Sequence, residues 1–112
     1  MDSPGWQPFS VTVSTDGASG RVILKGELDL SGAPRVDQAL QQAEDLPVSL
    51  VVLDLSQLTF IDSSGLEVML RAARRAQDRG GRLVVARPSV QVRKLLEMTA
   101  IDQALDIVDD VV

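Results

Sequence analysis

Two adjacent hydroxyls, Ser63 and Ser64, stand between an acidic residue and a glycine in the run Phe60-Ile61-Asp62-Ser63-Ser64-Gly65-Leu66-Glu67. Serine hydroxyls serve as nucleophiles, as phosphate acceptors or as helix caps, and the surrounding chemistry selects among these. The chain has no histidine and no cysteine. A Ser-His-Asp arrangement, thiolate catalysis, disulfides and ordinary zinc or haem sites are therefore excluded. A Ser-Lys pair would have to draw on Lys25 or Lys94, neither of which the sequence brings near Ser63. There is no GxGxxG and no Walker A loop to cradle a nucleotide. Asp29, Asp54 and Asp62 follow or end apolar runs; together they could bind a divalent ion, but strand-end aspartates usually serve as caps and loop formers, and no metal is expected.

The elements around this run are legible. Leu50-Val51-Val52-Leu53-Asp54-Leu55 is apolar at nearly every position and predicts a strand covered on both faces. Leu66, Met69, Leu70, Ala73 and Ala76 recur at helical spacing and predict a helix that stops at Gly80-Gly81. The serines thus occupy a strand-to-helix junction, where function tends to gather in open α/β folds. Ser64 and Glu67 fit a capping box, which would leave the Ser63 hydroxyl unused; in the competing register Ser63 is the cap. Either register sets both hydroxyls at the positive end of a helix dipole. A phosphate on Ser63 would add about −1.5 to −2 charges there. The helix amides could hold it without melting the fold, while its charge would repel an acidic partner.

At 112 residues the chain is long enough for one core. We divide it into a lead-in over residues 1–8, a single domain over 9–108 and a tail over 109–112. The net charge of −5 argues against direct nucleic-acid binding. No signal peptide or membrane-spanning run is visible, so the expectation is a cytoplasmic protein without membrane association. Arg71, Arg74, Arg75 and Arg79 line the polar side of the central helix, with Glu67–Arg71 and Arg74–Asp78 spaced to pair as on a solvated face.

Taken in order, Phe9–Val13 alternates as a first strand, and Arg21–Leu28 forms a second, joined to it as a hairpin with a longish loop. Trp6 covers a core edge or is exposed. Asp29-Leu30-Ser31-Gly32-Ala33-Pro34 is a second strand-to-helix junction, with Ser31 able to cap. Asp29 serves that helix or sits beside Ser63; the sequence leaves both open. Val36, Ala39, Leu40 and Ala43 make the helix face, which ends before Pro47. Arg82–Ala86 is a strand, Pro88-Ser89 opens a third helix with Val92, Leu95, Leu96 and Thr99 inward, and 104–108 closes as a short strand. Helices between strands imply parallel pairing through right-handed crossovers. The fold class is α/β, a mixed four- to five-stranded sheet with helices packed on it.

Ile61-Asp62-Ser63-Ser64-Gly65-Leu66, preceded by Leu53-Asp54-Leu55 and by Gly26-Glu27-Leu28-Asp29 upstream, resembles the anti-sigma factor antagonists of the bacterial STAS-domain family. Gly80-Gly81 before a Val-rich strand and the helix ending Lys94-Leu95-Leu96-Glu97-Met98-Thr99 extend the resemblance over residues 9 to 108. The resemblance implies a STAS-like fold and a non-enzymatic partner switch without cofactors. Its anti-sigma factor, an ATP-dependent serine kinase, would phosphorylate Ser63, with Ser64 as second choice. The unphosphorylated protein would bind that kinase and release a sigma factor, and a serine phosphatase would reset it. Asp29, Asp62, Ser64, Gly65 and Leu66 would form the recognition surface. Glu67 departs from the small residue often found at its position in relatives. STAS domains also serve as constitutive interaction modules in transport complexes, the alternative the resemblance leaves.

Overall fold

A computed structural model describes residues 8–109. Residues 1–7 of the lead-in, Trp6 among them, and 110–112 of the tail lie outside the described residues. Five strands, β1 (Ser10–Asp16), β2 (Ser19–Leu28), β3 (Leu50–Ile61), β4 (Arg82–Ala86) and β5 (Ile107–Val108), form one sheet in the order β1-β2-β3-β4-β5. Three helices, α1 (Ala33–Glu44), α2 (Ser63–Asp78) and α3 (Val90–Met98), alternate with the parallel strands. β1 and β2 pair antiparallel; every other neighbour pair is parallel. The hairpin is tighter than the expected long loop: only Gly17 and Ala18 separate the strands, and Gly17 has the positive φ, 60°, that a two-residue hairpin loop demands.

Strand order that runs monotonically, with each crossover of the same hand, puts all three helices on one face of the sheet. The burial agrees. Val36 and Leu40 of α1, Met69 and Ala72 of α2, and Val92 and Leu96 of α3 share one core with Val22, Leu24, Leu53, Leu55 and Val85. The face of α2 is turned slightly from the expected stripe: Val68 and Ala72 are buried, while Leu70 and Ala73 are half-buried. On the opposite sheet face a small cluster of Val52, Val84 and Ala86 is buried separately.

β3 is twice as long as its apolar run suggests. It continues through Ser56–Ile61, a segment with two shifts in its register against β2. Polar Ser56, Gln57 and Thr59 conceal it in the sequence, yet Leu58 and Ile61 are buried in the core. Gly26 sits at the second shift with φ of 90°, a conformation that side chains oppose, which explains the glycine in Gly26-Glu27-Leu28-Asp29.

Asp54 therefore lies in the middle of a strand, contrary to its reading as a strand-end residue. It is 4% exposed, on the same side of β3 as Val52. Its carboxylate accepts from Arg21 at 3.3 Å, from Arg87 at 2.8 Å and from the Ser56 amide at 2.9 Å. Burial pushes its pKa up, but the Ser56 hydrogen bonds and Arg87 outweigh that and hold it below the usual value. Three strands are tied together by this one group.

Two further boundaries differ from expectation. Gly32, with no side-chain cap, starts α1, because Ser31 is engaged by Asp29 instead. The closing strand is only Ile107–Val108; a 3₁₀ turn at Ile101–Gln103 and buried Leu105 precede it. Ser89 caps α3 as expected, accepting the Val92 amide at 3.3 Å. α2 ends where Gly80, φ 70°, reverses the chain.

Candidate functional site

A single residue, Asp62, separates β3 from α2, and it caps the helix. Its backbone is extended (φ −107°, ψ −174°), and its Oδ1 accepts the amides of Ser64 at 3.0 Å and Gly65 at 3.4 Å. This replaces both expected registers. Ser63 and Ser64 are the first two helical residues, and no capping box forms between Ser64 and Glu67. A short carboxylate just outside the helix reaches the free amides of its first turn directly, so it displaces a hydroxyl already within the helix.

The two serines differ sharply as a result. The Ser64 hydroxyl donates to Asp62 Oδ1 and is half-buried. Ser63 is exposed, and among the described residues its hydroxyl has no hydrogen-bond partner. Asp62 is held below its ordinary pKa chiefly by the Ser64 hydroxyl, against burial and, to a smaller extent, the charge of Asp29.

The register of β2 against β3 places Asp29 beside the junction, deciding what the sequence left open. Leu28 pairs with Ile61 in the sheet, and the Leu28 carbonyl accepts the Asp62 amide at 3.1 Å. The two aspartates thus follow adjacent parallel strands side by side. Asp29 repeats the local geometry of Asp62, accepting the Ser31 amide at 3.0 Å and the Ser31 hydroxyl at 2.6 Å. The hydroxyl bond is the main reason its pKa is lowered. The repeated Asp-x-Ser spacing, Asp29-Leu30-Ser31 and Asp62-Ser63-Ser64, is the sequence signal that would have identified both turns.

Gly65 and Leu66 are buried and face the core rather than solvent. A Cβ on Gly65 would lie 2.7 Å from Ile61 Cγ1 and 2.7 Å from Leu28 Cδ2. The glycine lets the first turn of α2 settle directly onto the ends of β2 and β3, which holds Ser63 at a fixed height above the sheet. The exposed surface around Ser63 instead comprises Asp29, half-buried Asp62 and Glu67, with Leu30 (74% exposed) and Phe60 (47% exposed) on the preceding segments. Among the described residues no three acidic side chains converge to hold a metal ion, and Asp54 lies in the middle of β3, away from the strand ends that carry Asp29 and Asp62. No helix among them is long and apolar enough to cross a membrane.

The corner of this α/β domain thus carries one exposed hydroxyl, without a hydrogen-bond partner among the described residues, beside two carboxylates held below their ordinary pKa. The family model described as "Mlab, STAS domain" matches residues 11–109. An anti-sigma F factor antagonist of Paenibacillus polymyxa is 34% identical over 93 residues, 80% of this chain and 77% of that protein. The anti-sigma-B factor antagonist of Listeria monocytogenes is 28% identical over 86 residues, 77% of this chain and 75% of its own length. The chain belongs to the STAS-domain family of anti-sigma factor antagonists. The Bacillus protein SpoIIAA shares its fold. In unphosphorylated form that structure matches with a TM-score of 0.69 at 22% identity, over 93% of this chain and 90% of that one. In phosphorylated form the values are 0.67, 21%, 92% and 93%.

Proposed function

We propose that this protein is a cytoplasmic anti-sigma factor antagonist controlled by phosphorylation at Ser63. With Ser63 unmodified, it binds a cognate anti-sigma factor that is also an ATP-dependent serine kinase, and a sigma factor is released. Phosphorylation breaks the complex, and a serine phosphatase restores it. The observation that carries this reading is the difference between the two hydroxyls: Ser63 is exposed and without a partner, whereas Ser64 is tied to Asp62. Ser63 is thus the group a kinase can reach without first breaking a helix cap. The names of the relatives and the existence of SpoIIAA in two phosphorylation states support the same reading.

The electrostatics indicate how the switch works. Asp62 already occupies the amides of Ser64 and Gly65, so a phosphate on Ser63 does not find the open cradle expected from the sequence. It adds about −1.5 to −2 charges next to two carboxylates that are ionised at neutral pH. The corner becomes strongly acidic while its backbone stays in place. A partner surface that accommodates Asp29 and Asp62 then meets a dianion in addition. The protein acts as substrate and ligand, and the hydroxyl needs no activation from its own chain.

Incubation with ATP and extract of the host organism, followed by intact mass and peptide mapping, tests the reading. Wild type and Ser64→Ala are expected to gain one phosphate at Ser63, and Ser63→Ala to gain none. If Ser63 stays unmodified in extract that phosphorylates other substrates, the switch is wrong and a constitutive interaction module takes its place.

A further inference from the structure

The chain is acidic overall, and its arginines are mostly consumed internally. Arg21 and Arg87 hold Asp54; Arg75 and Arg79 reach Glu44 from α2; Arg82 pairs with Asp106 and Arg93 with Asp109. Arg35 lies over the Phe9 ring at 5.2 Å. Among the described residues, Arg71 and Arg74 are the arginines with no such partner. The i, i+4 pairs that spacing suggests, Glu67–Arg71 and Arg74–Asp78, are not formed within ion-pair distance. Arg71, Arg74 and Glu67 are all exposed.

Their position relative to Ser63 gives this meaning. On a helix Ser63, Glu67, Arg71 and Arg74 follow one another at i, i+4, i+8 and i+11, along one outward ridge. At 1.5 Å per residue the guanidinium-bearing positions begin about 12 and 16 Å from Ser63 along the axis. A protein that covers about 800 Å² in docking on Ser63 spans more than that distance, so this ridge lies within its reach. Beside the ridge a groove of about 510 Å³ runs between α2 and β4, lined among others by half-buried Leu70 and Ala73, buried Leu83 and exposed Arg74. Of the two free cations Arg74 stands at the rim of this partly apolar groove, whose far end holds the Arg82–Asp106 ion pair, and Arg71 lies one turn before it on the ridge; together they complement a segment that is acidic on one side and apolar on the other.

We propose that Arg71 and Arg74 form a docking site for an acidic, amphipathic segment of the kinase that modifies Ser63, remote from its catalytic centre. The proposal rests on the reading of Ser63 as the acceptor. It separates two tasks on one helix: the first turn presents the hydroxyl, and the second and third turns supply affinity and orientation. Because these arginines are spatially distinct from Ser63, their contribution to affinity is the same with or without phosphate, and repulsion at the corner is what breaks the complex after phosphorylation.

The test uses the Ser63 kinase, purified from host extract by its activity on this protein, with the full chain as substrate. R71E/R74E is expected to raise KM about tenfold or more with kcat unchanged, as loss of interfacial charge complementarity does. Wild-type KM should rise with salt, and that dependence should flatten in the variant. R71K/R74K, which keeps the charge, should remain close to wild type, and thermal melting should be unchanged in both. An unchanged KM in R71E/R74E, with Ser63 still phosphorylated, overturns the docking site and leaves the acceptor reading intact. Altered self-association of the variant at unchanged KM also overturns it, by assigning the ridge to a second copy of the chain. Absence of any Ser63 phosphorylation in wild type removes both readings together.

Discussion

The Leu28 carbonyl accepts the Asp62 amide at 3.1 Å, and this one bond between two strand ends sets Asp29 beside Asp62. Each aspartate then folds back onto the serine two residues ahead. The corner that carries Ser63 is thus built twice over from the same Asp-x-Ser turn, one copy from each strand. Its rigidity comes from below, where Leu28, Ile61 and Leu66 are buried against one another's elements. Burying each such side chain contributes about 1.5–3 kcal/mol, more than any single hydrogen bond at the surface.

Asp62→Ala removes the cap of α2 and is expected to cost about 1 kcal/mol of stability. It also releases the Ser64 hydroxyl, so phosphate should then map to Ser64 as well as Ser63. Asp62→Asn keeps an acceptor and should retain both the stability and the selectivity. Urea unfolding and peptide mapping of the three proteins check this.

Gly65→Ala should destabilise by about 1–3 kcal/mol through overpacking, since the new methyl meets Ile61 and Leu28 at 2.7 Å. The helix start must lift or rotate to accept it, which moves Ser63. A lower urea midpoint accompanied by slower Ser63 phosphorylation is the expected result. Full stability in the variant would show that the close approach is not required.

Asp54→Asn leaves Arg21 and Arg87 facing a neutral amide on the helix-free side of the sheet. A fully buried pair broken this way costs 3–5 kcal/mol; because these arginines reach solvent, about 2 kcal/mol is expected. The folded pKa of Asp54 lies below its ordinary value of 3.8. Its stabilisation is therefore complete above about pH 4 and is lost as pH falls through the lower folded value. Urea unfolding at pH 7 and pH 3 should show the wild-type advantage over Asp54→Asn shrinking at the acidic end.

Phosphorylation of Ser63 should alter folding stability by less than about 1 kcal/mol, because attraction to the helix N-terminus is offset by repulsion from Asp62 and Asp29. Unfolding of purified phosphorylated and unmodified protein by urea measures it. A large loss would mean that the phosphate displaces Asp62 from the Ser64 and Gly65 amides.

The periodicity of the chain was sufficient for its architecture. Alternation in β1 and β2, the 3.6-residue stripes of three helices and the glycine stop after α2 are local signals, and a strand–helix succession leaves few permitted topologies. The second half of β3 was hidden because its outward residues are polar and its pairing with β2 shifts twice; only contact with a neighbouring strand makes Ser56–Ile61 extended. For the same reason Asp54 read as a strand end rather than the hub of an ion-pair cluster.

At the junction, the residue types alone singled out Ser63, Ser64 and Asp62 as the candidate group and excluded histidine- and thiol-based reactions. Which residue caps the helix, and hence which hydroxyl stays free, depended on a competition among Asp62, Ser63 and Ser64 for the same few amides. Geometry settles such a contest, since all three can accept a hydrogen bond. The proximity of Asp29, the burial of Gly65 and Leu66, and the unpaired state of Arg71 and Arg74 likewise belong to the tertiary structure. Each depends on which surfaces meet across 30 or more residues of sequence, or on which charges find no partner there, and local propensity contains neither.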